Sequence, residues 1–232
     1  MRRPHHFLVT DVTASLVSVN VGLPRTVAWQ GKSVRTAIFK APVAGSARVG
    51  ALNLTGDRQG DPTVHGGPYK AVYLYPSEHY AFWREDLGAL AWGAFGENLT
   101  AAGLSEATTR IGDCLRIGSA ELVVTQPRLP CFKLELRFGR PGLERRFLAS
   151  GRTGFYLSVA TEGDVRAGDP IAVEPAADSV TIAEVVGLYR TTRPDRELLR
   201  RLAELPALPD ALRRKYARKL QEISTETSPP IS

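Results

Sequence analysis

A cysteine behind a rigid turn and beside two cations is the residue of this sequence best suited to chemistry. Cys131 ends a Pro-Arg-Leu-Pro-Cys segment and is followed by an aromatic residue and Lys133. The two prolines fix the backbone, and Arg128 and Lys133 are close enough along the chain to favour the thiolate, the reactive form of cysteine. The alternative is a buried and inert thiol beside a strand, which is what we expect for Cys114.

A second group of chemically capable residues lies in the segment 56–75, GDRQGDPTVHGGPYKAVYLY. Gly66 and Gly67 allow backbone N–H groups to point at one position, and His65 and Lys70 add positive or hydrogen-bonding character there. This pattern is typical of an anion cradle. The alternative is a Gly-Gly hairpin in which His65 caps a backbone carbonyl and Lys70 is solvated.

The third segment is 93–100, GAFGENLT, in which two glycines flank an aromatic residue before a Glu-Asn pair. Asn98 offers both donors and acceptors, so it could contact the edge of a heterocycle or close its own loop. Glu97 could act as a base or pair with a nearby cation. Nothing in its sequence surroundings indicates a perturbed pKa.

Several classes of protein are excluded by motifs that the sequence lacks. It contains no GxSxG, GxxxxGK[ST], HExxH or GxGxxG motif, which argues against hydrolase, nucleotide-triphosphatase, zinc-protease and Rossmann functions. Its two cysteines have no closely spaced neighbours, which fits a reducing cytosol. No apolar segment approaches the ~20 residues of a membrane span, and the N-terminus makes a poor signal peptide. We therefore expect a cytoplasmic protein.

The residues that must position these segments form a β-rich domain. From 15 to 174, short apolar or alternating segments are broken by Gly, Pro, Asn and Asp, which is typical of a sandwich or barrel. A helix capped by Ser77 is predicted between 74 and 92, and a shorter one at 142–149. The predicted strands are 15–21, 33–39, 47–52, 71–75, 114–117, 121–126, 154–161 and 170–173.

The hydrophobic pattern changes after residue 174, which indicates a second unit. Residues 175–179 are predicted to be a linker, and helical periodicity follows at 181–189, 194–205 and 209–223. The domain organisation is therefore a flexible tail at 1–14, a β domain at 15–174, a three-helix domain at 175–223 and a flexible tail at 224–232.

The positive charge is concentrated in the helical part. The chain carries a formal charge of +6, and residues 190–220 hold ten Lys or Arg against four acidic residues. Such a patch could bind nucleic acid, anionic lipid or an acidic protein, although a solvated helix face is the more common explanation. Charge alone leaves these alternatives open.

Taken in order, the motifs resemble those of the MOSC family, the domain named after the C-terminal part of molybdenum-cofactor sulfurase. The resemblance rests on GDRQGDPTVHGGPYKAV, FGENLT, the IGD at 111–113 and QPRLPCFKL, and the helical tail resembles that of the YiiM-like subgroup. It covers the chain from about residue 17 to 223. It implies a mainly β fold: a twisted antiparallel β-barrel with a few short helices and a basic pocket, followed by a small three-helix bundle.

The resemblance also implies a site. By motif position Cys131 would be the catalytic cysteine. The equivalent cysteine binds molybdenum in relatives that reduce N-hydroxylated compounds and is thought to carry sulfane sulfur in others. Family membership is further associated with pyridoxal phosphate binding. The residues implied to hold the phosphate and pterin of a molybdopterin-type cofactor are His65, Gly66, Gly67, Lys70, Asn98 and Arg128, with Lys133 as a weaker candidate.

The implied activity is the molybdenum-dependent reduction of N-hydroxylated small molecules such as 6-hydroxylaminopurine, a detoxification. A flavin-containing reductase would supply two electrons, and water would be released. The basic helical tail could be the surface on which an acidic electron donor docks. Alternatives are a non-catalytic carrier of the cofactor or of sulfane sulfur, and a basic nucleic-acid-binding module, which the lack of interleaved aromatic residues disfavours. Both a monomer and a homodimer fit the sequence.

Overall fold

The computed structural model describes residues 14–60 and 66–226. The expectations for His65 and for most of both terminal tails therefore concern residues outside the described ranges. Within these ranges the chain forms twelve strands, six α-helices and one 3-10 turn at Pro68–Lys70.

The strands, in chain order, are β1 (Ala14–Val21), β2 (Arg25–Trp29), β3 (Lys32–Thr36), β4 (Ala41–Pro42), β5 (Ser46–Val49), β6 (Val72–Pro76), β7 (Leu99–Ala102), β8 (Cys114–Ile117), β9 (Ala120–Pro127), β10 (Phe155–Thr161), β11 (Gly163–Arg166) and β12 (Pro170–Glu174). The helices are α1 (His79–Leu87), α2 (Lys133–Phe138), α3 (Leu143–Ser150), α4 (Ile182–Gly187), α5 (Arg196–Glu204) and α6 (Asp210–Glu226).

Seven of these strands close into a barrel. They pair in the order β12-β8-β9-β10-β6-β7-β1, and pairing between β1 and β12 completes the ring. The pairs within the ring are antiparallel except β6 with β7, which is parallel. Closure leaves these strands without a free edge, which stabilises the ring as a rigid support for the loops at its ends. The prediction of a mainly β barrel followed by helices is confirmed.

The barrel interior is filled by the alternating apolar residues that identified its strands. Leu122 and Val124 of β9 and Leu157 of β10 are fully buried, and their cluster continues into the C-terminal helices through residues such as Val185 and Leu199. The barrel and the helices therefore share one hydrophobic core. Burying each such side chain contributes about 1.5–3 kcal/mol.

A second, aromatic cluster packs α1 and α3 against the barrel. Trp83 stacks on Phe147 with ring centroids 5.3 Å apart, and Tyr75 lies 4.7 Å from Phe95. The indole N–H of Trp83 donates to the hydroxyl of Tyr75 at 2.8 Å, so the buried polar atoms are paired. This cluster forms one side of the support beneath the site described below.

Several local predictions were wrong or incomplete, and the strands β4, β7 and β11 were not predicted. Ser77 does not cap α1: Glu78 occupies the N-cap position without a capping side chain, and the Ser77 hydroxyl donates to the Glu78 carboxylate at 3.3 Å. The predicted strand 33–39 covers most of β3, but β2 and its hairpin with β3 were missed because the turn uses Gln30 at a φ of 49°, a conformation uncommon for that residue. The helix α2 was missed because six residues are too few for a periodic signal.

The helical domain begins with strong capping. Thr181 and Glu184 form a reciprocal capping box on α4, and the Asp195 carboxylate accepts from the first backbone N–H groups of α5. Among residues 14–60 and 66–226, no helix has both the length and the apolar character needed to cross a bilayer.

Candidate functional site

A cavity of about 100 Å³ brings together five of the residues proposed from the sequence. Its lining comes from the β3–β4 connection, the loop after Gly56, the start of β6, the loop before β7 and the loop between β9 and α2. Among the described lining residues, cations outnumber acids by five to one, so the cavity is basic. The acid is Asp57, and the cations are Lys40, Arg58, Lys70, Arg128 and Lys133.

Cys131 lies in the wall of this cavity, between β9 and α2. Its side chain is half-buried and free, and its carbonyl accepts a hydrogen bond from Leu134 N at 2.9 Å as the chain turns into α2. The backbone at Arg128 is fixed by a 3.1 Å bond from its N–H to Gly154 O. The sulfur is therefore reachable, held by a tethered loop, and next to the proposed cations.

Cys114 differs from Cys131 in its surroundings. It lies on β8, and its pKa is raised by burial and by the negative charges of Glu121 and Glu174. A thiol in acidic surroundings is a poor nucleophile and a poor metal ligand at neutral pH. The inert assignment of Cys114 agrees with this environment.

Arg128 supplies a buried positive charge at the cavity wall. Its side chain is 6% exposed, and its Nη1 atom has no hydrogen-bond partner among the described residues. The guanidinium carbon lies 5.5 Å from the ring centroid of Tyr73. Burial opposes its charge, but the ionisable groups of Tyr73, Tyr156 and Cys131 raise the pKa of Arg128 overall. A buried unpaired donor costs about 1–3 kcal/mol, so this group is ready to bind an anionic acceptor.

Lys70 also reaches the cavity, at the end of the 3-10 turn. Its Nζ lies 5.9 Å from the ring centroid of Tyr156, and burial lowers its pKa. Gly67 has a φ of 92°, and a Cβ added there would meet nothing within 4 Å, so glycine is needed for the backbone conformation rather than for space. Gly66 and Gly67 lead into the turn but do not line the cavity.

Asn98 is buried in the cavity wall with both ends of its amide occupied. Its Oδ1 accepts from Tyr73 N at 3.2 Å, and its Nδ2 donates to Asp57 Oδ2 at 2.9 Å. Of the two interpretations drawn from the sequence, these bonds favour the closing of a loop. A contact between Asn98 and a bound cofactor stays a prediction.

Sequence reasoning missed the ion pair of Lys40 and Asp57, which joins two walls of the cavity. Their side chains are 8% and 3% exposed, and Asp57 also accepts from Gly22 N at 2.9 Å. Burial lowers the pKa of Lys40, although Asp57 opposes this effect. The two residues are separated by the strands β4 and β5 and several turns, so no local pattern could have revealed the pair.

Glu97 is a fully buried carboxylate beneath the cavity. It accepts from Gly93 N at 3.0 Å, from Phe95 N at 3.1 Å and from the hydroxyl of Thr100 at 3.0 Å. Burial raises its pKa, a shift that its sequence surroundings did not indicate. Its bonds hold the loop that precedes β7, and its full burial keeps it from contacting a ligand directly.

The donor set determines which cofactor the cavity could hold. Among residues 14–60 and 66–226 no group of three or more His, Cys, Asp or Glu side chains could hold a metal ion alone. One soft sulfur donor in a basic cavity, beside an arginine with an unpartnered donor, instead suits a metal that arrives with its own ligands on an anionic cofactor. Cys131 and Arg128 fit a molybdopterin-type group in this respect.

Comparison with known proteins gives consistent matches to both parts of the chain. The MOSC domain model matches residues 61–172, and the model described as "YiiM-like, 3-alpha helix domain" matches residues 180–222. The crystal structure of YiiM from Geobacillus stearothermophilus superimposes with a TM-score of 0.75 at 33% identity, covering 89% of this chain and 99% of that one.

Two relatives extend the comparison. The uncharacterized protein YflK of Bacillus subtilis (strain 168) is 45% identical over 155 residues, which cover 66% of this chain and 70% of YflK. A protein named Reductase from Gibberella moniliformis (strain M3125 / FGSC 7600) is 32% identical over 184 residues. That match covers 76% of this chain but only 32% of the fungal protein.

Removing the carboxylate of Asp57 should destabilise the protein by about 3–5 kcal/mol, because the Asp57→Ala variant leaves the cation of Lys40 buried without its partner. Urea denaturation measures the free energy of unfolding. The control is Asp164→Ala, which removes an exposed carboxylate 3.8 Å from Arg48 Nη1 and should cost less than about 1 kcal/mol.

A double variant, Lys40→Met with Asp57→Leu, removes both charges together and should be more stable than Asp57→Ala alone. Equal unfolding free energies for Asp57→Ala and Asp164→Ala would contradict the role given to the buried pair.

Proposed function

Because the chain belongs to the MOSC family and carries a YiiM-like three-helix domain, we propose that it binds a molybdenum cofactor and reduces N-hydroxylated small molecules such as 6-hydroxylaminopurine. Cys131 would be the protein ligand of molybdenum. The reductase name of the fungal relative is consistent with redox chemistry, although the chain spans about a third of that protein.

The observation that carries the proposal is that one cavity contains both a reachable thiol and a buried guanidinium with an unbonded nitrogen. Cys131 is half-buried there, and Arg128 Nη1 has no partner among the described residues. A buried guanidinium nitrogen without an acceptor is costly even though another part of the group bonds to Tyr156, which supports an anionic ligand as part of the functional state. The adjacent sulfur supports a metal on that ligand.

Each residue then has a distinct task. Arg128 and Lys70 would bind the anionic groups of the cofactor, with Lys133 at the start of α2 as a further cation. When bound, the cofactor supplies two-electron oxygen-atom transfer, in which an N–OH group plus two electrons and two protons gives N–H and water. The tethered loop of Cys131 fixes the sulfur so that substrate can approach from the open side of the cavity.

Metal and pterin analysis of the wild type beside Cys131→Ala, both made in a cofactor-competent host, tests this assignment. We expect molybdenum content in Cys131→Ala to fall roughly 10-fold or more, by analogy with losses on removing groups that hold metal sites. Cys114→Ala is the matched control and should keep the wild-type content. Equal molybdenum in the wild type and Cys131→Ala would remove Cys131 as a ligand.

Turnover separates the reductase from a cofactor carrier. A reductase should convert 6-hydroxylaminopurine to the amine with a supplied electron donor, and Cys131→Ala should be inactive. Wild-type protein that holds molybdopterin yet never reduces the substrate would favour the carrier.

The electrons must come from another molecule, and the helical domain offers a surface for it. Arg214, Lys215 and Arg218 of α6 are exposed, whereas Arg200 on α5 pairs with Glu197 at 2.6 Å. Exposed cations on one helix would attract an acidic, flavin-containing reductase and speed docking. We propose this face as the donor surface.

Neutralising this surface should lower the rate of reduction by the protein donor but not by a small-molecule donor. With Arg214→Gln and Arg218→Gln combined, reduction by the flavoprotein should slow roughly 10-fold at low ionic strength, and the difference should shrink as salt screens the charges. Reduction by dithionite should be unchanged, and Arg200→Gln should have little effect. Equal rates with the flavoprotein donor, before and after neutralisation, would exclude this surface.

A further inference from the structure

Two arginines share one aromatic ring just outside the cavity. The guanidinium carbon of Arg25, at the start of β2, lies 3.5 Å from the ring centroid of Phe39. That of Arg137, near the end of α2, lies 5.0 Å from the same centroid. Like charges held around one ring repel each other, so this arrangement needs a compensating interaction.

Neither arginine has an ion pair with a carboxylate of the described residues. The Nε atom of Arg137 is buried and lacks a hydrogen-bond partner among these residues. Burial and the charge of Arg25 lower the pKa of Arg137. Nearby arginines do have acidic partners: Arg140 pairs with Asp86 at 3.0 Å. Glu97 attracts Arg137 through space, but among the described residues the Arg25–Arg137 pair lacks the direct carboxylate partner that its neighbour has.

The pair is continuous with the cavity. Phe39 lies between Ile38 and Lys40, which both line the cavity. Arg137 follows Lys133, another lining residue, by four positions on α2, which corresponds to roughly 6 Å along a helix. A ligand seated in the cavity could place a second anionic group against the two guanidinium groups.

We propose that Arg25, Phe39 and Arg137 form a subsite for a phosphate group carried by the substrate, so that the protein acts on N-hydroxylated nucleotides in preference to free bases. Guanidinium groups match phosphate oxygens in geometry and charge, and two of them can neutralise a phosphate dianion. The reaction on these nucleotides depends on the proposed reductase function, whereas the binding of the phosphate does not.

The substrate is the better source of this phosphate than the cofactor. The cations lining the cavity, Arg128 and Lys70 among them, already offer sites for the anionic groups of the cofactor. Arg25 and Arg137 are not lining residues, and Arg25 is exposed to solvent. A phosphate group that binds at this solvent-facing position is therefore better assigned to a substrate, which enters and leaves the site, than to the resident cofactor.

Calorimetric titration of the purified full chain tests the subsite without any turnover. The probes are adenosine 5′-monophosphate, adenosine and pyrophosphate. We expect the monophosphate to bind at least roughly 10-fold more tightly than adenosine, with pyrophosphate competing, since the added contacts are charge-assisted hydrogen bonds. Arg137→Gln and Arg25→Gln should each remove most of this advantage. Arg140→Gln, which removes an exposed cation with its own acidic partner, should retain it.

Each result decides the inference. Equal affinity for the monophosphate and adenosine in the wild type would overturn it, as would unchanged affinity in both Arg25→Gln and Arg137→Gln. An equal loss in Arg140→Gln would also overturn it by indicating general attraction.

In cofactor-loaded protein, kcat/KM for the N-hydroxylated monophosphate should exceed that for the free base, and Arg137→Gln should abolish the difference. Failure of all turnover with selective binding intact would count against the reductase function alone.

Discussion

The site depends on a buried ion pair that joins segments distant in sequence. Lys40 and Asp57 are almost completely shielded from water, and the same carboxylate also binds Gly22 N and the amide of Asn98. Because Asn98 in turn accepts from Tyr73 N, the pair connects the loop after β5 to the barrel strand β6. An unneutralised charge at this position would be costly, so losing one partner of the pair is expected to destabilise the cavity wall.

The fold places its rigid elements and its reactive groups in different parts of the molecule. The closed barrel and the aromatic cluster hold the backbone, while the groups with unused capacity, the Cys131 sulfur and Arg128 Nη1, lie in one cavity at its end. Function is placed on loops and strand ends because a closed barrel fixes their geometry without using their side chains. The helical domain shares the barrel core, so its basic face has a fixed orientation relative to the cavity.

Sequence patterns predicted the barrel strands well where alternation reports burial, as in β1, β8 and β9. The resemblance to the MOSC motifs, rather than any periodic pattern, implied one site for Cys131, Arg128, Lys133, Lys70 and Asn98, and these five residues line one cavity. Sequence patterns could not reveal the Lys40–Asp57 pair or the sharing of Phe39 by two arginines, which arise only when distant segments meet. The perturbed pKa of Glu97 was missed for the same reason, since burial is a property of the fold and not of the neighbours in sequence.

The central claim is that the sulfur of Cys131 bonds to molybdenum. X-ray absorption at the molybdenum K-edge of cofactor-loaded protein measures this directly, because it counts sulfur atoms in the coordination shell. We expect one sulfur fewer in Cys131→Ser than in the wild type, with an oxygen or nitrogen ligand in its place. Identical sulfur counts in the two proteins at equal molybdenum loading would contradict it.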